Sequence, residues 1–165
     1  GYGVKPDIVS MAKAMGGGMP IAACCTTKEI AEAFGSGTHG STYGGHPVAC
    51  AAALASISEI LDKDLSGNAK VVGEYMVEQM SKLPHVKEAR GRGLLVGCEY
   101  DLPIALEVKW GCMRRHALIT AIGSSVNRMI PPLIATKEDV DKLMGIMEES
   151  INDAVEKYQK LTKAA

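Results

Sequence analysis

The chain has 165 residues, 47% of them hydrophobic, enough for one sizeable core or for one small domain and part of another. Eighteen Lys+Arg stand against 19 Asp+Glu, and a formal charge of −1 gives no electrostatic ground for nucleic acid or an anionic membrane as partner. Five cysteines without CxxC spacing argue against a disulfide framework or a metal site. With no leader and no apolar run that could cross a bilayer, the expected location is cytoplasmic and reducing. The first residue, Gly1, makes a fragment or processed chain the expectation.

In chain order, the apolar runs Asp7 to Met11 and Pro20 to Cys25 are expected as buried strands, broken by Gly16-Gly17-Gly18. Cys24 and Cys25 then read as small core residues. Lys28 to Phe34 is expected as a short helix. Gly35 to Gly45 is too rich in glycine and hydroxyls for a regular element and runs into Pro47, which suits the first position of a helix ending near Asp62. Leu54, Ile57 and Leu61 mark an apolar face of that helix, and its alanines permit close packing.

A second helix is expected from Ser66, its candidate cap, with Ala69, Val72, Met76 and Leu83 on the inner stripe. Gly91-Arg92-Gly93 reads as a turn before the apolar strand Leu94 to Cys98. A helix over Pro103 to His116 and strands near Leu118 to Thr120 and Val126 to Ile130 follow. Thr136 and the acids Glu138 and Asp139 open a long amphipathic helix to Gln159. Helices alternating with strands in this half predict a small α/β domain with a largely antiparallel sheet, and the boundary is expected between Asp62 and Gly67.

Two segments carry chemistry. Lys13 is one charge among apolar residues, directly ahead of three glycines. Burial disfavours an ammonium ion, which suits an amine that must attack a carbonyl, and glycines let backbone approach a planar cofactor. Spacing alone does not separate this from a solvated lysine at a strand end. Gly37 to Pro47 combines hydroxyls with a helix N-terminus, where free N–H groups and the positive dipole end can hold a phosphate. The loop lacks the Gly-Lys-Ser/Thr close of a P-loop, and a plain turn would use the same residues.

Together, Pro6-Asp7-Ile8-Val9-Ser10-Met11-Ala12-Lys13-Ala14-Met15-Gly16-Gly17-Gly18-Met19-Pro20-Ile21 and Thr38-His39-Gly40-Ser41-Thr42-Tyr43-Gly44-Gly45 resemble the lysine segment and phosphate loop of class III aminotransferases. The resemblance continues through Gly91-Arg92-Gly93-Leu94 and Arg128-Met129-Ile130-Pro131-Pro132-Leu133, and lies nearest the acetylornithine, ornithine and 4-aminobutyrate branch. It implies an α/β fold, the C-terminal part of a fold-type-I pyridoxal-phosphate transferase. Residues 1–65 would be the end of the large doubly wound domain and 66–165 the small C-terminal α/β domain.

The same resemblance implies a transaminase exchanging an amino group between N-acetylornithine, ornithine or 4-aminobutyrate and 2-oxoglutarate. Lys13 would be the Schiff-base lysine, and Ser41 and Thr42 ligands of the pyridoxal 5'-phosphate phosphate, reaching the other subunit of a homodimer. Arg128 would pair with the substrate carboxylate, since a planar fork suits bidentate binding; a structural ion pair is the other reading of that arginine. His46 replaces the Asn that many relatives carry before the proline, which touches the subfamily and not Lys13 or Thr42. The family's pyridine-nitrogen acid, ring-stacking aromatic and second phosphate turn lie upstream of the segment matching Gly1, so the chain by itself is expected to be inactive and to expose apolar surface before about residue 60. A class III aminomutase, decarboxylase or racemase, or a non-catalytic anion-binding module, remain the alternatives.

Overall fold

The computed structural model describes residues 3–164; Gly1, Tyr2 and Ala165, the outer ends of the two expected domain spans, lie outside the described residues. The chain divides into two units, Gly1–Lys63 and Asp64–Ala165.

In the first unit, β1 (Ile8–Met11) pairs antiparallel with β2 (Ala23–Thr26), Ile8 opposite Thr26 and Met11 opposite Ala23. Between them lies a 3-10 turn over Lys13–Gly16. Gly16 is buried, and a Cβ there would meet Ile21 Cγ2 at 2.6 Å, so the turn closes on Ile21 through the missing side chain. Gly17 and Gly18 take φ of 59° and 113°, which lets the backbone reverse without steric cost. Thr27 caps α1 (Lys28–Ala31), its hydroxyl accepting from the Ile30 N–H at 3.4 Å. This helix is shorter than expected, because Ala33 and Phe34 continue it only as tight turns bonded to Ile30 and Ala31. Residues 35–46 form the loop, and Pro47 opens α2 (Pro47–Asp62).

Three expectations fail in this unit. All four residues of β1 are exposed, and so are Cys24 and Cys25. The two strands form a ribbon with both faces open, so alternation buries neither set. On α2 the buried residues are Ala49 and Ala53, while Leu54 and Leu61 are 69% and 72% exposed. Residues 49, 53, 56 and 60 share one stripe, and 54, 57 and 61 lie about 100° around the helix from it. The alanine stripe meets the 3-10 turn, and Ser56 Oγ there donates to the Ala14 carbonyl at 3.5 Å.

The second unit begins with α3 (Leu65–Met80). Its cap is Asp64 rather than Ser66: the Asp64 carboxylate accepts from the Gly67 N–H at 3.1 Å, with Asp64 itself at φ 43°. Ala69, Val72 and Met76 are buried as expected, whereas Leu83 lies beyond the helix and is half-buried. β3 (Val86–Arg92) and β4 (Leu95–Tyr100) form a hairpin turning at Gly93-Leu94, so Gly91 and Arg92 are strand, not turn. Next come α4 (Ala105–Arg114), β5 (Thr120–Ile122), β6 (Val126–Met129) and α5 (Lys137–Ala164).

The four strands run in the order β3-β4-β6-β5, every pair antiparallel. Alternate residues Val96, Cys98, Tyr100, Asn127 and Met129 point into a core completed by Met76, Val108, Met147 and Ile151 from the helices. Asn127 is fully buried and satisfied: it accepts from the Tyr100 hydroxyl at 2.8 Å and donates to the carbonyls of Ala105 (3.0 Å) and Thr120 (3.4 Å). A reciprocal box starts α5. The Thr136 hydroxyl accepts from the Asp139 N–H at 3.2 Å, and the Asp139 carboxylate accepts from the Thr136 N–H at 3.1 Å. The Thr136 N–H, and then the Thr136 hydroxyl donating at 3.0 Å, hold the Asp139 carboxyl below the usual aspartate range.

Candidate active site

Ala12 is extended, with φ −158° and ψ −152°, and Lys13 follows at φ 56°. The left-handed step at Lys13 ends β1 abruptly and starts the 3-10 turn. Such a conformation costs a lysine on the order of 1–2 kcal/mol, so this backbone is held by its surroundings, here the Gly16–Ile21 contact and α2. Lys13 lines a cleft of about 720 Å³ with Ser10, Ala22, Cys24 and His39. Lys13 is exposed, as are all four residues of β1, so of the two readings that spacing left open the structure shows the solvated lysine.

His39 went unassigned in the sequence. Its ring stands edge-on to Phe34, with centroids 6.2 Å apart and planes at 89°, and it lines the cleft that Lys13 lines. A histidine in a glycine-rich loop carries no spacing signal, so this placement became visible only once the loop path was known. Cys24, read from sequence as a core residue, also opens onto the cleft. An amine, an imidazole, a thiol and a hydroxyl therefore belong to residues lining one cleft. Among the described residues no carboxylate lines the cleft.

Ser41 lines a second recess of about 250 Å³ with Pro20, Ile21, Gly45 and His46, which shares Ala22 with the Lys13 cleft. Thr42 is exposed on the loop and is not among the residues lining the Lys13 cleft. The structure thus brings Lys13 and His39 together, sets Ser41 next door and leaves Thr42 outside. At the start of α2 the His46 side chain makes no cap bond, and the first helical bond runs from Cys50 N to His46 O at 2.9 Å. The N–H groups of Val48 and Ala49 precede that bond, at the positive end of a 16-residue helix, as an anion-binding turn requires.

Arg128 belongs to the second unit. Its neighbours Asn127 and Met129 point into the core, so Arg128 faces the open side of the sheet and is exposed. Gly97 lies directly opposite it on β4 and Thr120 on β5. Among the described residues no carboxylate pairs with Arg128. On the same face Glu99 receives Arg90 at 2.8 Å and Lys87 at 3.1 Å, and Arg90 also reaches Glu88 at 2.8 Å. The hydrogen bonds from Arg90 and then Lys87 hold the Glu99 carboxyl below its ordinary range.

For a carbonyl-bearing cofactor the first unit supplies a suitable amine, an open cleft and an adjacent anion-binding turn, so these residues fit pyridoxal phosphate at its reactive and phosphate ends. The family model for class-III aminotransferases matches residues 1–151. The acetylornithine aminotransferase of Caldanaerobacter subterraneus is 39% identical over 156 residues, covering 92% of this chain and 39% of that protein. That of Methanosarcina mazei is 41% identical over 152 residues, covering 90% and 38%. Among solved structures, acetylornithine aminotransferase from Elizabethkingia anophelis superposes with TM-score 0.82 at 30% identity, over 92% of this chain and 40% of that one. An ornithine aminotransferase from Toxoplasma gondii, with PLP partially occupying its active site, gives 0.85 at 30% identity, over 95% and 39%. The chain spans about two fifths of the length of the curated relatives it matches.

Proposed function

The chain belongs to the class-III aminotransferase family, and from that premise we propose that it is the part of a pyridoxal-phosphate enzyme that supplies the cofactor lysine, the phosphate loop and the substrate-carboxylate arginine. The observation that carries this reading is the Lys13 amine opening onto a cleft beside an anion-binding helix start.

When bound, the cofactor supplies an electron-withdrawing ring that stabilises negative charge on the substrate carbon that loses its proton. Lys13 Nζ would hold the cofactor and would accept that proton and return it. The hydroxyls of Ser41 and Thr42, with the N–H groups at the start of α2, bind phosphate. The exposure of Thr42 outside the Lys13 cleft fits a loop that serves the partner subunit of a homodimer. Arg128 presents its fork to a substrate carboxylate. Residues 1–65 are then the end of a large cofactor-binding domain and 66–165 the small C-terminal domain of a cytoplasmic enzyme.

The names of the relatives support N-acetylornithine or ornithine, and by the branch resemblance 4-aminobutyrate, as donor, with 2-oxoglutarate as acceptor. Among the described residues no carboxylate lines the Lys13 cleft, and the 165-residue chain alone is expected not to turn over. The full-length protein, given pyridoxal phosphate, donor and 2-oxoglutarate, is expected to form glutamate, and borohydride is expected to fix the cofactor covalently to it in the absence of donor, both lost in Lys13→Ala. Cofactor still fixed covalently to Lys13→Ala would refute the assignment of Lys13. Decarboxylated or racemised donor in place of glutamate would refute transamination.

A further inference from the structure

The turn that carries Lys13 leans on α2. Lys13 keeps a left-handed backbone, φ 56°, a conformation that costs any residue with a side chain. The 3-10 turn it opens is only four residues long, and 3-10 hydrogen bonds have poor geometry, so such a turn depends on what packs against it. Two bonds close it from within: the Met15 N–H donates to the Ala12 carbonyl at 3.3 Å, and the Gly17 N–H donates to the Ala14 carbonyl at 3.0 Å.

A further support comes from Ser56, 42 residues along the chain from Ala14. The Ser56 hydroxyl donates to the Ala14 carbonyl at 3.5 Å, so that one oxygen accepts from the turn and from the helix together. Ser56 Cβ also lies 3.9 Å from where a Cβ at Gly17 would stand, which sets the helix against the residue that closes the turn. A serine inside a helix ordinarily returns its hydroxyl to a carbonyl one turn back; this one reaches out to the turn between β1 and β2. Small side chains permit the approach, since Ala49 and Ala53, on the same stripe as Ser56, are buried. All of these contacts are made inside the first unit.

We propose that Ser56 is a positioning residue for Lys13: by holding the Ala14 carbonyl it keeps the turn, and with it the left-handed backbone that presents the amine to the cleft, in the geometry that an incoming aldehyde meets. The inference rests on the reading of Lys13 as the cofactor lysine. If the turn relaxed, Lys13 would fall back to the favoured right-handed region, and the swing of its Cα–Cβ bond would carry the amine away.

The test uses the full-length protein freed of cofactor and two probes. With pyridoxal phosphate, the Lys13 amine adds to the aldehyde carbon, water leaves, and borohydride delivers hydride to the resulting C=N bond. Mass spectrometry of samples quenched at intervals then gives the rate of capture. Pyridoxamine phosphate has the same ring and phosphate but no carbonyl, so its affinity reports the rest of the site. Ser56→Ala, which a helix interior accepts without cost, is expected to slow capture about two- to threefold, the lower end for one neutral hydrogen bond. Affinity for pyridoxamine phosphate should stay unchanged, and Ser56→Thr, which keeps the hydroxyl, should capture at the wild-type rate. Capture unchanged in Ser56→Ala, slowed equally in Ser56→Thr, or slowed only in step with a loss of pyridoxamine phosphate affinity overturns the proposal. If cofactor is fixed as readily to Lys13→Ala, the reading of Lys13 itself fails and the proposal falls with it, an outcome distinct from failure at Ser56.

Discussion

Gly73 sits in the middle of α3, and replacing it by alanine should destabilise the second unit although alanine is the better helix former. The helical preference alone favours alanine by about 1 kcal/mol. Against it, a Cβ at Gly73 would lie 2.0 Å from the Gly93 carbonyl oxygen and 2.4 Å from its carbon. Comfortable non-bonded separations are about 3.5–4.0 Å, so the β3–β4 turn would have to retreat by roughly 1.5 Å. The obstacle is backbone, which no rotamer change relieves. Overpacking of this kind costs about 1–3 kcal/mol, and a backbone clash belongs at the upper end, leaving a net loss of about 2 kcal/mol.

Gly145 in α5 is the matched control. It is exposed, a Cβ there would meet nothing within 4 Å, and Gly145→Ala should stabilise by close to the helical preference, about 1 kcal/mol. Urea unfolding followed by Trp110 fluorescence reads this unit specifically, since Trp110 is the chain's single tryptophan and lies in α4. In thermal melts the Gly73→Ala loss corresponds to a midpoint lowered on the order of 10 °C. Equal stabilisation by Gly73→Ala and Gly145→Ala would refute the argument.

Asn127→Leu should cost about 2–4 kcal/mol, because it strands the Tyr100 hydroxyl and the Ala105 carbonyl in the core; adding Tyr100→Phe should recover part of that loss in the same melts. With a thiol reagent at pH 8, Cys24 and Cys25 should react at once and Cys98 and Cys112 only on unfolding. Burial pushes the Cys98 thiol up to about 11 from an unfolded value of 9.0, so its stabilising contribution is intact below pH 9 and lost as the pH rises through 11. The buried Tyr100 hydroxyl is raised as well and acts in the same direction, and unfolding midpoints that do not fall across that alkaline interval would count against both.

Periodicity located the helices and the antiparallel sheet of the second unit because Val140, Met144, Met147 and Ile151 both repeat at helical spacing and find a core. Element ends were less legible. The Asp64 cap depends on a left-handed residue, and the strand character of Gly91 and Arg92 depends on pairing with β4, neither of which is written in local composition. In the first unit the apolar runs form the expected strands and helix but are not buried, and the apolar surface expected before about residue 60 is exposed. Ile8, Leu54 and Leu61 have the side chains of core residues, but none of them is buried in this chain. At the candidate site, Lys13, Ser41, Thr42 and Arg128 are proposed from motif order, whereas the place of His39 on the Lys13 cleft depends on a loop path.

The left-handed backbone of Lys13 has a practical consequence for engineering. Local energetics favour glycine or asparagine at this position, since either adopts φ 56° with less strain than lysine does. On the proposed reading, a screen that rewards thermal tolerance alone will drift toward exactly those residues and discard the one amine the chemistry needs. Stabilising libraries for this chain should hold position 13 constant and seek their gains at sites such as Gly145, where geometry and helical preference agree.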